Sequence, residues 1–467
     1  MTMISKQTQT ALLYITSIII IVFGTIILVA LARGYSYDFF NGQIKENGLV
    51  IINSIPSGAS ISFNGNVTKF KTPYRLVNAE PGEMTVGLTR TDYRDWQKKI
   101  TVQAQEVSFA DRALLIPRTI LYDNLYGSFR TIATAQSNDN HRVVCVVDKP
   151  DRSIWVSDNE KAPVKIYQVP AAAKPEDAIT AISELQLSPN NGNQLLFRAT
   201  SHARSNLFVI PTTENQQPTN INNTFGISGG NLTFNPTSDR EFFWLDNGSL
   251  RKLNLDSKNV GGVLVDNITY LKVKNDRIFY ISAITANNLS HELWSMDLNG
   301  VRKTKIISSV VDSPSYQIDF ARVRQKDYLM LLTSKDRTAT LYSNIYDQPD
   351  SSVLSKNADG FIFSPNGTYL VVNNNNSTKS YDLDLVSHYN FKTDLSGLTD
   401  WRWLDDYHLL VVTSGRLRIM DFDGQNDQLI SASNDLVTSV LPNNDNKSIN
   451  YITAGQVKKL YLTLKKK

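Results

Sequence analysis

The stretch Phe361 to Val372 reads Phe-Ile-Phe-Ser-Pro-Asn-Gly-Thr-Tyr-Leu-Val-Val and constrains the fold more than any other. Two short apolar runs flank Ser364-Pro365-Asn366-Gly367, which fits a type I turn: Ser opens it, Pro presets φ at the second position, and Gly closes it. Weaker copies recur from about Thr131 onward, among them Leu185 to Phe197, Leu232 to Trp244, Tyr270 to Ile281, Asp319 to Leu332, Asp400 to Val412 and Thr438 to Tyr451. A third strand follows several of them, as in Ser153 to Val156 and Arg416 to Met420. A unit of four short strands every ~40–45 residues has the arithmetic of a β-propeller blade. Eight blades are predicted, with seven the alternative. Arg118 to Asn124 is expected to supply an outer strand that closes the last blade and removes a free sheet edge.

The N-terminal region follows another rule. From Ala11 to Ala32 there is no charge, and Ile, Leu, Val and Ala dominate. As a helix this run spans about 30 Å, enough for a hydrocarbon core. It predicts an uncleaved signal anchor with the N-terminus inside and the bulk of the chain outside. A cleaved signal peptide ending at Ala30-Leu31-Ala32 is the rival, although the run exceeds the usual signal length. The 467 residues carry a net charge of +4, too diffuse for a nucleic-acid footprint, and a single cysteine, Cys145, which excludes an internal disulfide.

Between anchor and repeats lies a second all-β module. Leu49 to Ile52 opens a strand, Ser54-Ile55-Pro56-Ser57-Gly58-Ala59 turns it, and Asn64-Gly65 is a strong hairpin signal. Thr72-Pro73 and Pro81-Gly82 punctuate later strands, and Asp92-Tyr93 with Trp96 follow. This order of residues resembles the PEGA domain, with Ser57 where the family name has Glu and Asp92 where Gly commonly precedes the Tyr. The resemblance covers Gly48 to about Pro117 and implies a small β-sandwich common in bacterial and archaeal surface proteins, without catalysis. Gly and Pro serve the turns, while Tyr93 and Trp96 suit a core with a hydrogen-bonding rim. The Ser364 to Gly367 hairpin, in turn, resembles TolB-like and WD-like propeller repeats, which implies a platform for a protein or ligand.

Residues with chemical potential are scattered. The histidines, His141, His202, His291, His388 and His408, have no metal-ligand spacing. Asp421-x-Asp423-Gly424-x-Asn426-Asp427 resembles a calcium loop but lacks a ligand at the fifth position, the sixth-position Gly and the terminal Glu, so a hairpin turn is expected. No Gly-x-Ser-x-Gly elbow or Gly-rich phosphate loop occurs. Trp401 and Trp403 fall on one strand face and are expected in the core between blades rather than as a stacking shelf.

The expected organisation is a tail (1–10), an anchor (11–33), a juxtamembrane spacer (34–47), a PEGA-like sandwich (48–117) and a propeller (118–467). The expected function is that of a non-catalytic, single-pass surface protein that binds a protein or an envelope polymer, with no cofactor or metal and no catalytic residue. A hydrolase or lyase built in the central channel, and a purely structural envelope spacer, are the alternatives. Specific function is expected where the repeat copies differ, in inserted loops such as Ser282 to Ser290 and in channel-facing side chains.

Overall fold

The computed structural model describes residues 6–32, 35–38, 43–125, 130–148, 151–158, 161–214, 216–283, 290–374 and 377–464. The chain divides into two compact units, Met1–Ile120 and Leu121–Lys465. Most of the Ser282 to Ser290 insertion and the last three lysines lie outside the described residues.

In the first unit a helix runs from Lys6 to Ala32, and the apolar side chains described on it, from Leu13 to Val29, are largely exposed. Among the described residues no helix is long and apolar enough to cross a membrane. The expected spacer contains a strand pair, Tyr35–Asp38 with Gln43–Glu46, in register from Tyr35↔Glu46 to Asp38↔Gln43. Its side chains lack a sustained period-two pattern, so the pairing left little trace in the sequence.

A sandwich follows. One sheet has three strands, with Gly48–Ile55 between Tyr74–Ala79 (antiparallel) and Val107–Leu114 (parallel). The other has four: Asn66–Lys71, Ser60–Phe63, Gly82–Thr89 and Trp96–Val102 in that order. Inward residues at period two, including Val50, Ile52, Ile61, Val86, Leu88 and Trp96, form one core between them.

The second unit is all-β and propeller-like: eight antiparallel four-stranded sheets among the described residues. Seven are sequential meanders, beginning at Thr131, Ile179, Asn231, Ile268, Tyr316, Ala358 and Leu398. The eighth combines Val437–Pro442, Ser448–Thr453 and Gln456–Tyr461 with Leu121–Asn124, which pairs antiparallel with the last of them (Leu121↔Tyr461). The closing strand was thus legible in advance, three residues shorter than expected. First strands of neighbouring sheets lie against one another at the junctions of sheets 1 and 2, 4 and 5, 5 and 6, and 7 and 8. Sheet 8 also reaches sheet 1, where Thr131 N–H donates to Gly455 O at 2.6 Å and Leu441 and Val457 pack on Val143 and Cys145. The ring is closed.

Each sheet is buried on both faces by its neighbours, so second strands are nearly continuous apolar runs. His408–Thr413 is buried at every position, and Arg142–Val147 at all but its first. Among the described residues of this unit a 3-10 turn, Pro175–Asp177, and a short α-helix, Ile221–Phe225, interrupt the strands, the latter capped by the Asn220 side chain at its start and by Gly226 (φ +64°) at its end.

Candidate binding face of the propeller-like unit

Two of the signature stretches of the first unit, Ser54 to Ala59 and Thr72-Pro73, meet at one hydroxyl. Buried Thr72 Oγ1 lies 2.6 Å from Ser54 Oγ and accepts from the N–H groups of Gly58 and Ala59, each at 3.0 Å. Ser54 Oγ also reaches Pro56 O at 2.8 Å. Thr72-Pro73 and Ser54-x-Pro56-x-Gly58-Ala59 therefore form one polar knot between the sheets. Asn64 (φ 47°) and Gly65 (φ 83°) make the tight hairpin, and Asn64 Oδ1 accepts from Thr85 N at 2.8 Å. Gly82 takes φ 130° after Pro81. Asp92 has φ 67°, which is why Gly suits that position and Asp is tolerated. Tyr93 and Trp96 are core residues, but the Trp96 indole N–H is buried without a partner, so the expected hydrogen-bonding rim does not extend to it. All of these roles are structural.

The same holds for the turn that recurs in the second unit. Ser364 Oγ accepts from Tyr369 N at 3.0 Å, Asn366 Oδ1 accepts from Thr368 N at 3.0 Å, and Gly367 N donates to Ser364 O at 2.8 Å. Pro365 sits between them with its φ preset. Ser188 and Ser137 repeat the hydroxyl closure onto Gln194 N (3.0 Å) and Arg142 N (2.9 Å). Gly367 has φ 79°, and a Cβ there would stand 2.8 Å from the Ala321 Cβ of sheet 5. Neighbouring turns are also linked laterally: Asn366 N donates to Asp406 Oδ1 (2.9 Å), and Asn190 N to Asp239 Oδ1 (3.3 Å).

Antiparallel succession sends these turns to one face of the ring. The starts of the first strands and the turns between second and third strands lie on the other. The polar side chains of the innermost strands are mostly committed sideways. Lys274 pairs with Asp319 (2.6 Å), Gln317 Nε2 donates to Phe361 O (2.9 Å), and Gln186 Nε2 to Thr233 Oγ1 (3.0 Å). Asp400 Oδ2 accepts from Ser439 Oγ (2.7 Å) and Val440 N (2.9 Å). Each tie crosses from one sheet to the next.

Six first strands begin with the same register shift, which skips one residue: Ile132, Thr180, Thr269, Asp359, Thr399 and Thr438. At four of these bulges a threonine hydroxyl donates to a second-strand carbonyl: Thr180 to Thr200 O (3.0 Å), Thr269 to Ile281 O (3.3 Å), Thr399 to Val412 O (3.2 Å) and Thr438 to Ile452 O (3.3 Å). The sequence signal was there, an Ile, Leu or Val followed by Thr at a fixed repeat position, and it was missed. The two departures, Ile132 and Asp359, both line clefts on this face.

The first cleft, between sheets 8 and 1, has a volume of about 630 Å³ and is lined by Arg130, Thr131, Ile132, Thr438, Ile452 and Gly455 among others. The second, between sheets 5 and 6, measures about 310 Å³ and includes Gln317, Thr333, Arg337 and Asp359. There Arg337 is ion-paired with Asp359 and donates to the carbonyls of Ala358 and Asn357, both at 3.3 Å. Arg130 was not singled out from the sequence, where nothing distinguishes it from other arginines.

The residues singled out for chemistry stay apart. His141 Nδ1 lies 3.1 Å from Asn444 Nδ2, His202 is exposed in a turn of sheet 2, and His388 packs beside Tyr381. His291 is buried, 3.7 Å from Asp312. His408 Nδ1 bonds Asp405 Oδ2 at 2.8 Å. Burial pushes the Asp405 pKa up, but hydrogen bonds and the charge from His408, with the N–H groups of Tyr407 and His408, outweigh it and leave the carboxyl below its usual range. Asp421 accepts from Asn426 Nδ2 (3.0 Å), Asp423 from Gln425 N (3.1 Å), and Asp427 binds Arg418, so the calcium-like stretch is a hairpin turn whose carboxylates bond within the protein. Trp403 is buried and Trp401 half-buried against the same core, which includes Tyr369 and Phe422. Among the described residues no group of three or more His, Cys, Asp or Glu could hold a metal.

Comparison with known proteins agrees with this division. The fold defines an all-β chain that joins a sandwich to a propeller-like ring. Residues 47–114, the sandwich, match the family model described as the PEGA domain. No curated protein matches the sequence. Among solved structures, the crystal structure of the C-terminal WD40 domain of Sif2 is similar at a TM-score of 0.49 and 10% identity, over 74% of this chain and 99% of that chain. A crystal structure titled as the eukaryotic initiation factor is similar at a TM-score of 0.43 and 14% identity, over 65% and 89%. The propeller-like assignment rests on strand order and ring closure rather than on these likenesses.

Proposed function

We propose that this protein is a single-pass, membrane-anchored scaffold that displays its sandwich and an eight-bladed ring outside the cytoplasm, and that it binds a protein or envelope polymer without catalysing a reaction. The observation that carries the reading is the contrast on the ring. Polar side chains of the inner strands are consumed by ties between sheets, while the face opposite the recurring turns opens into clefts where the repeat pattern is broken. Those clefts offer area and shape for recognition. The anchor reading rests on the uncharged Ala11 to Ala32 run and on the exposed apolar side chains of the helix. The Thr25 hydroxyl there is satisfied by Ile21 O at 2.7 Å, which lowers its cost in lipid. The outward orientation places the N-terminus in the cytoplasm.

The test uses the full chain in its native membrane. Protease added to intact cells should digest residues 48–467, and full protection would refute the orientation. Chemical cross-linking in those cells should give a discrete adduct through the sandwich or ring; a chain that stays monomeric and unlinked would favour a spacer.

A further inference from the structure

We infer that the cleft between sheets 8 and 1 is a binding site for a carboxylate carried by an extended peptide, with Arg130 as its anion-binding group. This deepens the binding reading above and rests on it. Across the ring, Arg142, Arg152, Arg198, Arg240, Arg322, Arg337 and Arg418 are held by carboxylates of the same unit. The exposed Arg130 guanidinium has no hydrogen-bond or ion-pair partner among the described residues, and it lines the larger cleft. Its nearby carboxylate, Asp148, already accepts from Arg152 Nη2 at 2.9 Å.

The lining points to the ligand class. Thr131, in the same cleft, is buried, and its Oγ1 has no partner. Ile132 replaces the threonine that four other sheets carry at this bulge, and together with Ala133, Ile452 and Ala454 it adds apolar surface. Gly455 (φ 74°) keeps the cleft open, since a Cβ there would press on the Arg130 stem at 3.1 Å. A planar guanidinium takes a planar carboxylate through two parallel bonds. A doubly charged phosphate would call for a second cation, and the lining holds only one. The volume of about 630 Å³ lies within the range of small-ligand sites and suits a few small aliphatic residues beside the carboxylate. The second cleft has the same position relative to its sheets, but its arginine is neutralised by Asp359, the residue that occupies the bulge there.

The carboxylate can be a chain terminus or a side chain, and the experiment separates them. Full-length protein in detergent micelles is examined by saturation-transfer NMR with three probes: acetyl-trialanine with a free C-terminus, acetyl-Ala-Glu-Ala-amide, and neutral acetyl-Ala-Gln-Ala-amide. Binding of one or both acidic probes in the millimolar range or tighter is expected, with the neutral peptide about tenfold weaker for want of the charge-assisted pair. Arg130→Gln should abolish the difference between acidic and neutral probes, and Arg240→Gln, which removes an exposed ion pair with Asp256 away from both clefts, should leave it intact, with unchanged circular dichroism in both. Equal binding of the neutral peptide, no binding of either acidic probe, or an unaffected Arg130→Gln protein would overturn the inference. Should cross-links to a partner persist in Arg130→Gln cells while probe binding is also unchanged, the cleft falls and the scaffold reading stands. Should the acidic probes bind as expected with no cross-link from the ring, the scaffold reading falls instead.

Discussion

The two units solve one problem, how to hold turns against sheets, in opposite ways. In the sandwich a single hydroxyl, Thr72 Oγ1, accepts from the N–H groups of Gly58 and Ala59 and pairs with the Ser54 hydroxyl, so one atom ties the Ser54 to Ala59 turn to Thr72-Pro73. In the ring the equivalent work is divided among copies, with Ser137, Ser188 and Ser364 each closing one turn. A centralised knot makes a small domain whose loss is all-or-none. A distributed set tolerates divergence between copies, and that tolerance leaves room for Ile132 and Asp359 to depart from threonine and line clefts.

Substitutions can break or sharpen this contrast. Thr72→Val leaves the buried Ala59 N–H unpaired and removes one of the two bonds made by Gly58 N–H and by the Ser54 hydroxyl, which keep Thr72 O and Pro56 O; it is expected to cost the sandwich about 2–3 kcal/mol, read as a weakening of its urea transition with the ring intact. Gly367→Ala should cost the ring roughly 2 kcal/mol, because φ is positive and the new methyl meets Ala321. Ser364→Ala should cost about 1 kcal/mol, and combining it with Ser188→Ala should add, as the two sites lie in separate sheets. A Ser364→Ala cost equal to that of Thr72→Val would erase the contrast. The smallest effect is in acid. Asp405 has a lowered folded-state pKa, so its contribution is complete above its ordinary value of 3.8 and fades as pH falls through the lower folded value. Asp405→Asn should flatten that part of the ring's acid-unfolding curve, monitored by tryptophan fluorescence.

Local chemistry was the legible part of the fold. Ser-Pro-Asn-Gly specified its turn through short-range bonds, and the resemblance of the first module rested on turn residues, two stretches of which meet at Thr72. The closing strand could be anticipated because a ring needs an edge partner. Other features depend on distant residues meeting. The pairing of Tyr35–Asp38 with Gln43–Glu46 carried little periodicity. The bulge threonines were visible in sequence as repeated Ile/Leu/Val-Thr pairs, but their role depends on a register shift that periodicity does not report. That Arg337 is neutralised and Arg130 is not follows from which residues the sheet junctions bring together, and no local pattern encodes it.

The central claim is that recognition belongs to the cleft face of the ring and not to the face of the recurring turns. A photo-activatable residue placed in native membranes at Ile132 or Asp359, on the cleft face, and at Leu385 or Asn366, on the turn face, tests it directly. Adducts to one partner are expected from the cleft-face positions and none from the turn face. Adducts from Leu385 and Asn366 alone, or equally from both faces, would contradict it.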